Sequence, residues 1–153
     1  MLFLLFRLGE SRYVLATRDV VEVVPGIRLT RLPTAPDYVA GLFNYRGTSV
    51  PVIDVSSLLL QQASAPHLST RVALVKVPVA GDDERLLGLL IEQATETVKI
   101  DEHEFVDPGI QAPDAACLGP VYPDTDGLIT RLEPRRVLQR LDQNILFPEH
   151  RND

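Results

Sequence analysis

Arg46 lies between Tyr45 and Gly47 in a stretch of otherwise apolar, strand-forming residues, Gly41-Leu42-Phe43-Asn44-Tyr45-Arg46-Gly47-Thr48-Ser49-Val50-Pro51-Val52-Ile53-Asp54. A guanidinium carries five donors in a rigid fork. In so apolar a setting it has two uses. It can pair with a carboxylate of its own chain, Glu22 or Asp54, and lock two elements together, or it can be presented to another protein. Glu22 is the second group of interest. It sits in Val20-Val21-Glu22-Val23-Val24, and a carboxylate rimmed by valines is either a solvated face or a protein-contact surface.

The other reactive side chains assemble no recognisable catalytic set. His67 falls in a polar segment, His103 in the acidic turn Asp101-Glu102-His103-Glu104, and His150 in the polar tail. No nucleophile elbow, zinc-protease helix, P-loop or dinucleotide fingerprint is present. Cys117 reads as a small buried hydrophobe. Asp124, Asp126, Gly127 and Glu133 match part of a calcium loop, but Tyr122 holds the first ligand position and Pro123 breaks the loop, so a hairpin turn fits better. Asp82, Asp83 and Glu84 read as a solvated turn. Arg135, Arg136 and Arg140 read as the polar face of a helix, with a small anionic docking patch as the alternative.

Composition narrows the function classes. With 153 residues and 45% hydrophobic content the chain can bury a core, as one domain or two small intertwined subdomains. A net charge of −6, no tryptophan and only 6% aromatics argue against nucleic-acid binding. One cysteine allows neither an intrachain disulfide nor a multi-cysteine zinc site, which fits a reduced cytoplasmic setting. The apolar run Met1–Phe6 is stopped by Arg7; it is too short for a secretory signal or a bilayer span and reads as a buried strand. Any membrane association would come through a partner.

The elements that would position Arg46 and Glu22 are mostly strands. Leu2–Leu8 and Arg12–Ala16 form a hairpin about Gly9-Glu10-Ser11. Thr17 caps a weak helix through Val24, with Val20, Val21 and Val24 on one side, ending at Pro25-Gly26. Ile27–Leu32 is a strand, and Leu42–Ile53 is two short strands or one bent strand turning at Arg46-Gly47. Asp54 caps a helical turn over Val55–Leu60. Residues 61–70 are a polar loop between two halves. Arg71–Val79, Arg85–Ile91 (broken by Gly88) and Thr95–Ile100 are further strands, and 107–114 is a loop. Cys117–Tyr122 and Leu128–Leu132 form a hairpin. Pro134 opens a helix whose stripe is Val137, Leu138, Leu141, Ile145 and Leu146, ended by Pro148. Residues 148–153 are a polar tail. Short strands with a terminal helix imply an all-β barrel architecture.

These residues resemble the CheW-like coupling proteins of bacterial chemosensory systems. The family pattern runs Gly, a short apolar run, Asn-Leu-Arg-Gly, then Pro-Val-Ile-Asp-Leu. Here it stands as Gly41-Leu42-Phe43-Asn44-Tyr45-Arg46-Gly47 and Pro51-Val52-Ile53-Asp54-Val55, with Tyr45 departing from the usual Leu. Val20-Val21-Glu22-Val23 resembles the family's Val-x-Glu-Ile helix. Leu87-Gly88-Leu89-Leu90-Ile91-Glu92 resembles a second motif, with Glu92 for the usual Asp. Leu118-Gly119 and Gly127-Leu128-Ile129 resemble the closing hairpin. The resemblance implies one CheW-like domain over 1–147, built as two SH3-like, five-stranded barrels with a groove between them. It implies no catalysis and no cofactor. Its expected partners are the cytoplasmic tip of a methyl-accepting chemoreceptor and the regulatory domain of a CheA-type histidine kinase. Carried over by position, Val20, Glu22, Gly41, Arg46, Gly47 and Gly88 fall in regions that make or support those contacts. A narrower resemblance is to coupling proteins of Wsp-type surface-sensing pathways, whose output is a diguanylate cyclase. A domain of this kind that only competes for receptor or kinase is the rival function.

Overall fold

The computed structural model describes residues 1–25, 28–64, 70–79, 83–109, 118–141 and 146–147. Among them are nine strands: β1 (Leu2–Leu8), β2 (Ser11–Ala16), β3 (Val20–Pro25), β4 (Val39–Tyr45), β5 (Thr48–Asp54), β6 (Arg71–Pro78), β7 (Glu84–Lys99), β8 (Leu118–Asp124) and β9 (Gly127–Leu132). The described residues also form two short α-helices with defined ends, α1 (Val55–Leu60) and α2 (Pro134–Arg140).

β7 is the organising element. Its first half pairs with β6 and β5, and its second half pairs with β1, beginning at Arg7↔Glu92. Two five-stranded units therefore share one strand. The first runs β7-β1-β2-β9-β8 and the second β3-β6-β7-β5-β4. This is the all-β, two-unit architecture expected, with the units intertwined. The sequence pattern divides β7 into two strands because Glu92, Gln93 and Ala94 interrupt the apolar run. They do so where the strand leaves one unit for the other, and Gln93 takes a positive φ of 50° at that crossing. Residues 61–70, expected to separate the halves, instead follow α1 and lead to β6; the strands on either side, β5 and β6, both pair with the first half of β7.

Burial explains the composition of β1. Phe3 and Leu5 point into one cluster with Val14, Ala16, Ile100 and Ile129, while Leu4, Phe6 and Leu8 point the opposite way into the largest core. A strand covered on both faces reads as a continuous apolar run rather than an alternation. The largest core also takes residues of the second unit, Ile53, Val75, Leu87, Leu89 and Ile91, and of α2, Val137 and Leu138. Each such side chain contributes about 1.5–3 kcal/mol on full burial, so this shared core joins the two units. A third cluster, Val50, Val52, Val72 and Leu74, fills the second unit.

Three local expectations are corrected. The helix over Thr17–Val24 is absent: a 3₁₀ turn at Thr17–Asp19 leads straight into β3, whose burial alternates with period two. Val20 and Val24 do share a face, but Val21 lies on the opposite one. β-branched valines fit a pleated surface better than a helix, and β6 supplies the backbone partners. The strand over Ile27–Leu32 reduces, within the described residues 28–32, to a single bridge in which Thr30 and Leu42 exchange backbone hydrogen bonds of 2.9 and 2.8 Å. The terminal helix is not continuous: α2 ends at Arg140, where Leu141 turns extended (ψ 155°) while its side chain stays in the core, and the backbone is helical again at Leu146. Leu146 and Phe147 still pack on that core, whereas Ile145, like Cys117, lies outside the described residues.

Among the described residues no helix is long and apolar enough to cross a membrane.

Candidate protein-contact surface

The β4–β5 hairpin determines where Arg46 points. Tyr45 pairs with Thr48, leaving Arg46-Gly47 as a two-residue loop with φ of 49° and 87°. Positive φ at both central positions is the turn that matches strand twist, and Gly47 meets it without strain. Asn44 steadies the loop by accepting the Gly47 N–H at 2.9 Å. Arg46 is thus held at the apex, and its side chain is 77% exposed.

Its internal partner is Glu22 rather than Asp54. Arg46 Nη2 stands 3.7 Å from Glu22 Oε2, and the guanidinium lies 5.1 Å from the centroid of its neighbour's ring, Tyr45. Asp54 is committed elsewhere: its carboxylate accepts from the N–H of Ser57, capping α1, and from both the N–H and the hydroxyl of Ser64. A long, exposed ion pair contributes about 0–1 kcal/mol, so Arg46 is no structural clamp.

Tyr45 is the stronger partner of Glu22. Its phenol donates a hydrogen bond to Glu22 Oε2. That bond pushes the phenol pKa above its ordinary value; desolvation adds to the shift, and the Arg46 charge opposes it. Sequence reasoning registered Tyr45 only as a departure from a pattern. The available signal was a hydroxyl at the end of an apolar strand, which seeks a partner when partly buried.

The remaining site residues fall in two groups. Val20 starts β3 half-buried against the main core. Val21 and Val23, on the other face of β3, are 46% and 39% exposed, and β3 is an edge of its sheet. Gly41 and Gly88 are positions of close approach. A Cβ at Gly41 (φ 151°) would lie 2.6 Å from the Thr30 carbonyl oxygen, and one at Gly88 2.8 Å from Val52 Cγ2. Gly88 is buried in β7, so it supports the sheet and touches no outer surface. The structure therefore brings Glu22, Arg46 and Gly47 together with Tyr45, places Val21 and Val23 on the opposite face of β3, and makes Gly41 and Gly88 packing positions.

Elsewhere Arg12 Nη1 pairs with Asp124 Oδ2 at 2.8 Å, fastening β2 to the β8–β9 turn. Asp124 belongs to a hairpin, as expected, and not to a calcium loop. Among the described residues no group of three His, Cys, Asp or Glu side chains is arranged to hold a metal.

Comparison with known proteins gives a consistent result. The CheW-like domain pattern matches residues 2–142. A chemotaxis protein CheW of Helicobacter pylori is 29% identical over 106 residues, covering 69% of this chain and 61% of that protein. One from Bacillus subtilis is 24% identical over 146 residues, covering 94% and 85%. The chain thus spans about three fifths of the length of the Helicobacter relative. The crystal structure of the scaffolding protein TtCheW from Thermoanaerobacter tengcongensis superposes with a TM-score of 0.76 at 25% identity, covering 88% of this chain and 84% of that one.

Proposed function

The chain belongs to the family of CheW-like domains, and from that premise we propose that it is a non-enzymatic adaptor of a bacterial chemosensory system. It couples the cytoplasmic tip of a methyl-accepting receptor to the regulatory domain of a CheA-type histidine kinase. It works in the cytoplasm and reaches the membrane only through the receptor. The observation that supports this reading is a pair of exposed features: the edge strand β3 with two outward valines, and an arginine at the apex of the β4–β5 hairpin whose only ion pair among the described residues is long. Exposed apolar side chains on a sheet edge and an accessible guanidinium are each suited to a protein contact. The Glu22–Tyr45 bond holds that surface in one geometry before any partner arrives.

Reconstitution tests the reading. Receptor-containing membranes and kinase are assayed for phosphorylation as this protein is titrated in. An adaptor raises kinase output, with micromolar affinity (about −8 kcal/mol) sufficient. A protein that only lowers output is a competitor. Absence of binding to both partners ends the proposal.

A further inference from the structure

A second polar site lies at the seam between the two units. A cleft of about 330 Å³ is lined by Arg18 from the 3₁₀ turn, Lys76 from β6, Arg131 from β9 and Arg135 from α2, together with Asp19 and Glu133. Four cations thus converge from four separate elements, in a chain whose net charge is −6. Among the described residues Lys76, Arg131 and Arg135 form no ion pair, and Arg18 reaches only Glu102 at 3.9 Å. Two carboxylates against four cations leave the lining net positive, and one of the two, Glu133, is turned to Arg136 at 3.2 Å, a residue outside the lining.

Arg131 is the most constrained of the four. Its guanidinium lies 5.3 Å from the Phe3 ring centroid and 6.0 Å from that of Phe105, so two aromatic faces fix its plane. Its Nε is buried and has no hydrogen-bond partner. A buried donor without an acceptor is costly, and a guanidinium with a fixed plane is suited to oxyanions.

We propose that this cleft binds a small multivalent anion of the phosphate type. The volume lies at the lower end for small-molecule sites, enough for a phosphoryl or pyrophosphoryl group. Among the described residues no aromatic side chain lines it, so none of them offers a ring on which a base would stack. Recognition is of the phosphate oxygens, whether the group is free or carried on a nucleotide.

The test is an amide-resolved NMR titration of the full chain at constant ionic strength with inorganic phosphate, pyrophosphate and ATP in parallel. Saturable shifts are expected at Lys76, Arg131 and Arg135 with pyrophosphate. The double variant Lys76→Gln/Arg135→Gln alters two outward side chains; its spectrum should otherwise superpose on the parent, with affinity weakened about tenfold or more, that is about 1.4 kcal/mol or more. ATP no tighter than pyrophosphate identifies the phosphate group itself as the ligand, and a markedly tighter ATP identifies a nucleotide as its source. No saturable shift with any of the three, or equal affinity in the double variant, overturns the proposal.

Discussion

The Tyr45 phenol and the Glu22 carboxylate join the two outermost strands of one sheet. Glu22 is on β3 and Tyr45 on β4, at opposite ends of the order β3-β6-β7-β5-β4, and they meet through a side-chain hydrogen bond. The second unit thus closes partly through side chains, aided by the Thr30–Leu42 bridge. Tyr45→Phe keeps the ring and removes the bond. A small loss of thermal stability, of a few degrees at most, is expected, together with a larger loss of partner binding, because the strands that display Val21, Val23 and Arg46 are no longer tied. Differential scanning calorimetry and a kinase pull-down measure the two effects; unchanged binding by the folded variant would show that the tie is not needed for the contact.

The same bond carries a pH signature. Hydrogen bonding to Glu22 raises the phenol pKa in the folded state. The folded chain therefore holds this proton more tightly than the unfolded chain does. The resulting stability is complete below the unfolded tyrosine value, about 10, and is lost as pH rises through the higher folded value. Phenolate absorbance should show one tyrosine ionising late, and Glu22→Gln should bring that ionisation down.

Arg46→Ala separates binding from folding. Removal of an exposed, long ion pair changes stability by about 0.5 kcal/mol or less, while receptor or kinase binding falls. Denaturant midpoints together with affinity measurements on the two partners decide the matter. A large stability loss would restore Arg46 to the role of clamp.

The three glycines of the site respond differently to alanine. Gly41→Ala drives a Cβ against the Thr30 carbonyl at a φ of 151°, and Gly88→Ala drives one between Val52 and Val72; each costs about 1–3 kcal/mol. At Gly47 nothing lies within 4 Å, and only the positive φ of 87° resists substitution, costing about 1 kcal/mol. Urea unfolding of the three variants should therefore place Gly47→Ala nearest the parent.

Asp124 governs part of the acid limb. The hydrogen bond from Arg12, with backbone N–H groups of the turn, holds its pKa below the ordinary carboxylate value. The folded state keeps this group ionised to lower pH than the unfolded state does. The stability gained is present above the unfolded value, about 3.9, and is lost as pH falls through the folded one. Asp124→Asn should flatten the decline of thermal midpoint with acidification.

The elements with strong local chemistry were legible in the sequence. Asp54 caps α1 as read, Arg46-Gly47 turns the hairpin, and Pro134 opens α2. The misread elements are those decided by distant partners. Nothing local shows that Val20–Pro25 will find β6, or that Glu92-Gln93-Ala94 continues one strand across two units. At the site, the Arg46–Glu22 pairing was one of two alternatives, while Gly41 and Gly88, read as contact positions, are buried packing positions. The Tyr45–Glu22 bond was not legible, since it depends on bringing together two strand edges with no neighbour in common.

The shared strand also has a kinetic consequence. β1 is made well before β7, yet its second neighbour is the far end of β7, with Leu2 opposite Lys99. Until that stretch leaves the ribosome, a strand apolar on both faces has only its hairpin partner. Such long-range pairing slows folding and prolongs the exposure of sticky edges. The chain therefore depends on later-made contacts to protect an earlier-made strand, and a truncation that ends before β7 should aggregate rather than yield half a domain.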